Sequence, residues 1–239
     1  MAGNFITTVG FDADDTLWHS EKHFQLTEER FRGLLDAHAD GAFVSNRLLE
    51  IEKRNLGRYG FGVKGFVLSM IETALEMTEG RIETQAISEI LAMGHDMLTH
   101  PVELLTNVSE TLEGLAGDYR LVLITKGDLF DQERKLAASG LGDLFQAVEI
   151  VSEKTADVYR RIFTAHGDGS ERSVMVGNSL KSDILPALDA GACAVHVPHD
   201  LTWAHELADS PAGVMEDRFR SIETLAELPD LLSRFGCRR

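Results

Sequence analysis

From about Gly114 onward the chain alternates two textures with little variation. Short apolar runs such as "YRLVLITKGD", "AVEIVSEK", "RSVMVGNS" and "ACAVHVPHD" are each followed by a polar turn. Between them lie segments with helical periodicity: "FDQERKLAASGLG", "TADVYRRIFTAHG" and "KSDILPALDAG". Strands that are apolar throughout, rather than on alternate residues, must be covered on both faces. Alternating with helices, they form βαβ units around a parallel sheet. "FITTVGFD" at the N-terminal end supplies one further strand, and "RSIETLAELPDLL" a short strand and a last helix. The fold class is therefore α/β, with a doubly wound parallel sheet.

The region from Leu17 to Met97 departs from this pattern. It contains no convincing strand, and "EKHFQLTEERFRGLLDAH", "AFVSNRLLEIEKRNLG", "VKGFVLSMIETALEM" and "ETQAISEILAMGHDML" repeat apolar residues at helical spacing. Four helices make a small bundle inserted after the first strand. The expected division is an α/β core of residues 1–16 and 101–239 and a helical unit of residues 17–100, with hinges near Trp18 and Pro101. Within the insertion, Gly60-Phe61-Gly62-Val63-Lys64-Gly65 matches G-x-G-x-x-G. A dinucleotide site needs that motif between a strand and a helix, and here it follows a helical segment. A glycine-rich connection between two helices is the better reading. Met70, Met77, Met93 and Met97 fall at apolar helical positions and are assigned to the core of the bundle.

Charge and composition restrict the partners. The formal net charge over 239 residues is −16, which opposes binding to nucleic acid or to an anionic membrane surface. No stretch reaches the roughly 18–20 apolar residues that cross a bilayer, and the N-terminal residues do not form a secretory signal. Cys193 and Cys237 are the two cysteines. Their separation suggests neither a disulfide framework nor a zinc site, and points to a reducing, cytoplasmic setting. The nine histidines show no ligand spacing. A monomer or homodimer acting on a small molecule is expected.

Ligands of an open parallel sheet bind outside the carboxyl ends of its strands. The first strand ends in Asp12-Ala13-Asp14-Asp15-Thr16, the next in Thr125-Lys126-Gly127-Asp128, the third in Ser152-Glu153-Lys154, and the fourth in Asn178-Ser179, with Asp183 shortly after. Three carboxylates within four residues raise one another's pKa and call for a cation or another electropositive partner. These groups suit phosphoryl transfer. A strand-end carboxylate can attack phosphorus and carry the phosphoryl group. A second carboxylic acid two residues on can protonate the leaving oxygen and later take a proton from water. A hydroxyl and an ammonium can hold the remaining oxygens, and Mg2+ takes oxygen ligands and bridges to phosphate.

"FDADDTLW", "LITKGD", Lys154 in "VSEKTADVY" and "VGNSLKSD" resemble, in order and spacing, the four motifs of the haloacid dehalogenase superfamily. The resemblance covers the α/β core and places the helical insertion where that family carries a C1-type cap. It implies Asp12 as nucleophile and Asp14 as acid/base. Thr125 and Lys154 would bind phosphate, and Lys126 is grouped with them, although a solvated lysine reads equally well. The metal set implied is Asp12, Asp14 through its main-chain carbonyl, Asp183 and Asn178. The family's fourth motif commonly begins Gly-Asp, whereas this chain has Gly177-Asn178, which removes one negative charge and implies weaker metal binding. Asp15 is read as a turn residue without chemistry, and Trp203 as packing or as part of a site rim. Family dehalogenases that act on carbon lack the second acid. Asp14 therefore favours a magnesium-dependent phosphatase of a small phosphorylated metabolite. A carbon–halogen hydrolase, a phosphomutase and a weakly catalytic phosphate-binding protein are the alternatives. Arg54 to Lys64 is read as a cap loop in which Arg58 and Lys64 select the substrate.

Overall fold

A computed structural model describes residues 6–201, 203–211 and 217–234. Among these residues one six-stranded parallel sheet is formed, in the order β3-β2-β1-β4-β5-β6. The strands are β1 (Thr8–Phe11), β2 (Arg120–Lys126), β3 (Ala147–Val151), β4 (Ser173–Gly177), β5 (Cys193–His196) and β6 (Phe219–Ser221). Between β1 and β2 come α1 (Glu21–Leu34), α2 (Gly41–Tyr59), α3 (Val63–Met77), α4 (Thr84–Thr99) and α5 (Val108–Leu115). The later helices are α6 (Leu129–Ser139), α7 (Ala156–His166), α8 (Leu185–Asp189) and α9 (Leu228–Arg234). Helix α5 is too short for its periodicity to stand out in the sequence.

The doubly wound expectation holds. Val9, Phe11, Leu121, Leu123, Val174 and Val176 point to one face, where α5 and α9 cover them through Val108, Leu112, Leu115, Leu228 and Leu232. Val122, Ile124 and Met175 point to the other, beneath Tyr159, Ile162 and Phe163 of α7 and Ala187 of α8. Alternate residues of each central strand thus enter opposite cores, which is why these strands read as continuous apolar runs. Register fixes the strand ends: Phe11 pairs with Leu123 on one side and Val176 on the other. Cys193, fully buried on β5, is disulfide-bonded. That corrects the expectation of a free thiol at Cys193 and withdraws its support for a reducing compartment; Cys237 lies outside the described residues. No helix among the described residues is long and apolar enough to cross a membrane.

Contacts divide the chain into two compact units: Met1–His19, Val102–Lys126 and Glu133–Arg239, and Ser20–Pro101 with Gly127–Gln132. In the second, α1–α4 close a ring in which each helix packs on two others. Phe31, Val44, Leu48, Phe66, Met70, Ile90, Met93 and Met97 fill its centre. The segment 127–132, placed with the α/β core by sequence alone, groups with the helices. Lys64 joins it through Asp128, at 2.9 and 3.0 Å. The expected loop from Arg54 to Lys64 is mostly helix. α2 continues to Tyr59, and the connection is Gly60–Gly62, whose glycines take φ of 72° and 103°. Those left-handed angles favour glycine, which accounts for the misleading glycine pattern.

One carboxyl of the helical unit makes its stability pH-dependent. Glu52 on α2 is half-buried, and burial, then the charges of Glu28 and Glu21, push its pKa up to about 8. The folded state then holds a proton that the unfolded chain releases near 4.5. Its contribution is therefore favourable at low pH and is lost as pH rises from about 4.5 to 8. Glu52→Gln is expected to add about 2 kcal/mol at pH 8 and little at pH 4.5. Denaturant melts at the two values check this, and an equal effect at both would contradict it.

Candidate active site

Asp12 follows β1 by one residue, and its N–H donates to the Val176 carbonyl at 2.9 Å. The chain then turns tightly. Asp15 takes a left-handed φ of 59°, its N–H donates to the Trp18 carbonyl at 2.8 Å, and its carboxylate lies 3.8 Å from His199. Asp15 is thus a turn residue, as expected. Asp14 is left at the rim, where its Oδ1 accepts from the Trp18 indole at 2.8 Å and from Lys135 of α6 at 2.6 Å.

Lys154 is buried and donates to Asp12 Oδ1 and, at 2.7 Å, to Asp183 Oδ1. Asp183 lies in a π-helical turn, Leu180–Ile184, and its Oδ2 accepts from the Ser179 N–H at 2.9 Å. The turn packs so tightly on β4 that a Cβ at Gly177 would sit 2.3 Å from Asp183 Oδ2. Burial, then the charge of Asp183, push the Asp12 carboxyl up to about 7 against the pull of Lys154. Burial opposes the Lys154 charge as well. The two carboxylates outweigh it and hold the ammonium above the ordinary lysine range.

Thr125 is buried at the end of β2, its hydroxyl 3.3 Å from the Lys126 carbonyl. Lys126 reaches to Ser182 Oγ and Glu206 Oε1, both at 2.7 Å. Thr16 Oγ lies 3.2 Å from Asp12 Oδ2 and 3.3 Å from Asn178 Oδ1. It also accepts from the Asn178 N–H at 3.1 Å.

The all-oxygen donor set suits a hard cation. Asp12 Oδ2 and Asn178 Oδ1 both lie within reach of the Thr16 hydroxyl, while Lys154 pairs with the other Asp12 oxygen. Asp183 gives both oxygens to protein donors, so Asn178 is the better placed of the two groups after β4. Among the described residues, no group of three or more His, Cys, Asp or Glu side chains could hold a metal. A cation would therefore depend on the Asn178 amide and main-chain oxygens as well as Asp12.

The strand ends thus bring Asp12, Lys154, Asp183, Thr16 and Asn178 into one contact network, with Thr125 and Lys126 at the end of the neighbouring β2. Asp14 stands beside Asp12 but points its carboxylate to Trp18 and Lys135. Arg58, exposed in the last turn of α2, and Lys64, paired with Asp128, belong to the helical unit. Sequence reasoning missed Lys135, Ser182 and Glu206, and placed Ser179 at a strand end without a role of its own. Ser179 and Ser182 lie within a recognised motif, but only the π-helical turn shows that Ser179 caps it, accepting from the Ser182 N–H.

The family model for haloacid dehalogenase-like hydrolases matches residues 6–191. The chain belongs to that family. A solved haloacid dehalogenase-like hydrolase from Xanthomonas campestris is 42% identical, superimposes with a TM-score of 0.86, and is matched over 98% of this chain and 94% of that one. Among curated relatives, the glyceraldehyde 3-phosphate phosphatase of Methanothermobacter thermautotrophicus is 36% identical over 209 residues, 83% of this chain and 88% of that protein. The N-acylneuraminate-9-phosphatase of Mus musculus is 25% identical over 174 residues, 70% of this chain and 67% of that protein. Within this hydrolase the match runs from β1 through the turn carrying Asp183, and His199 and Glu206 lie beyond it.

Proposed function

We propose that this hydrolase is a magnesium-dependent phosphatase that releases inorganic phosphate from a small phosphorylated metabolite through an aspartyl-phosphate on Asp12. The observation that carries it is the second acid. Asp14 stands two residues from Asp12, at the rim of a strand-end site whose floor is the buried Lys154. A nucleophile alone would serve attack on carbon, whereas a phosphate ester also needs a proton for its leaving oxygen. The phosphatase activities named for two relatives support the same reading.

In the first step an Asp12 carboxylate oxygen bonds to phosphorus. The ester P–O bond breaks, and the Asp14 carboxylic acid gives its proton to the departing alkoxide. In the second, Asp14 as carboxylate takes a proton from water, the hydroxide oxygen attacks, and phosphate leaves with Asp12 restored. Lys154 orients Asp12, and Thr125 offers a hydroxyl to the phosphoryl oxygens. Asp12, the Asp14 main-chain carbonyl and Asn178 would hold a magnesium ion, which would supply positive charge at those oxygens.

Phosphate release from a panel of phosphorylated metabolites tests the proposal, with glyceraldehyde 3-phosphate and N-acylneuraminate 9-phosphate included. Turnover of at least one compound is expected with magnesium, and loss of at least about 100-fold with chelator. Halide release from a 2-haloacid without phosphate release would make it a carbon–halogen hydrolase. Phosphate transfer to sugar instead of water would make it a mutase, and no turnover with phosphate binding intact, a non-catalytic binder.

A further inference from the structure

Glu206 belongs to none of the four motifs, yet it closes a ring of polar contacts at the strand ends. Its Oε1 lies 2.7 Å from Lys126 Nζ. Its Oε2 accepts from Ser179 Oγ at 2.6 Å and from Ser182 Oγ. Lys126 itself donates to Ser182 Oγ at 2.7 Å. The side chains of Lys126 and Glu206 are only 12% and 15% exposed, so solvent screens the pair weakly. The segment that carries Glu206 is pinned. The Glu206 N–H donates to the Trp203 carbonyl at 2.8 Å, and Lys181 donates to the His205 carbonyl at 2.7 Å. Burial opposes the Glu206 charge, but Lys126, Ser179 and Ser182 hold its carboxyl down at about 2, so it stays ionised.

Position gives this ring its meaning. Lys126 follows Thr125 at the end of β2, and Ser179 and Ser182 follow β4. Because β1 lies between those strands, a side chain joining the two ends spans the end of β1, where Asp12 stands. An unbalanced ammonium there would attract any phosphate dianion, substrate and product alike. Uniform attraction of that kind tightens binding without speeding the chemical step. It would also retain the product.

We propose that Glu206 is a charge-balancing and positioning residue that fixes Lys126 across the strand ends and cancels its charge, keeping the affinity of the site for free phosphate low. This presupposes that the strand ends bind a phosphoryl group, as proposed above.

Calorimetric titration with inorganic phosphate, in magnesium-containing buffer, tests it on four proteins: the parent, Glu206→Gln, Lys126→Met and the double variant. Charge balance requires effects of opposite sign. Glu206→Gln removes one negative charge beside Lys126 and should tighten phosphate binding about tenfold. Lys126→Met leaves an uncompensated carboxylate and should weaken it by about as much. The double variant, neutral at both positions, should return to within about threefold of the parent. A purely structural Glu206 would weaken binding in Glu206→Gln and in the double variant alike, and that result overturns the proposal. So does equal binding by all four, which leaves the phosphatase reading standing. Phosphate binding by none of them removes both. Melting temperatures of the four proteins show whether any loss reflects misfolding. If Glu206→Gln proves unstable, Glu206→Asp is titrated instead. The retained charge should then restore parental affinity, and tighter binding would count against the proposal.

Discussion

Asp12→Asn is expected to lower phosphate release by at least about 10⁴-fold while leaving the fold intact. The amide is nearly isosteric with the carboxylate and still offers an oxygen to Lys154, but it cannot form the acyl-phosphate bond. Removing a nucleophile that acts with its neighbours as a unit costs several powers of ten. The protein should survive the change because Asp12 sits uneasily as an anion. Its burial and the nearby Asp183 already push it toward the protonated form, and asparagine resembles that form. The melting temperature should therefore stay within a few degrees of the parent at pH 8. Phosphate release by rapid quench, beside a thermal melt, reads both quantities. Residual turnover within tenfold of the parent would remove Asp12 as nucleophile.

Lys154→Met should damage both activity and stability. Lys154 is 2% exposed and lies between Asp12 and Asp183, themselves 10% and 1% exposed in their side chains. Without the ammonium, two buried carboxylates lose their shared positive partner. Breaking a buried ion pair by removing one partner costs about 3–5 kcal/mol, and for a chain of this size that lowers the melting temperature by roughly 10 °C. The pH dependence has a definite sign. The pKa of Asp12 is raised above its unfolded value of 3.8 even with Lys154 in place, and removing the lysine raises it further. The folded variant thus takes up protons that the unfolded chain releases. Its deficit should be smallest near pH 4 and grow toward pH 8. A deficit independent of pH would mean that lost packing, not charge, is responsible.

The legibility of the sequence follows from the kind of physics at work. Strands buried on both faces write themselves as apolar runs, and the sheet order then brings the carboxyl ends of β1, β2, β3 and β4 together. This made Asp12, Thr125, Lys154 and Asn178 readable as one group. Helix α5 escaped notice because eight residues hold barely two turns of periodicity. The connection after Tyr59 read as a long loop because glycines mark a bend without telling how far the preceding helix runs. Lys135 and Glu206 were invisible for another reason. Their partners lie 121 and 80 residues away, and no local pattern records such a meeting. Lys64 and Arg58 were singled out as basic residues beside glycines, and their assignment to substrate selection rests on that pattern alone.

Gly177 gives the sheet an unusual means of holding an anion. The space a methyl group would fill is taken by the Asp183 carboxylate, so a strand backbone forms one wall of a charged pocket. An alanine at this position carries no charge, yet by displacing Asp183 it would unseat the counter-ion of Lys154 and rebalance the centre around Asp12. A residue usually credited with flexibility thus belongs to the electrostatics of the site, and its contribution is the volume it leaves vacant.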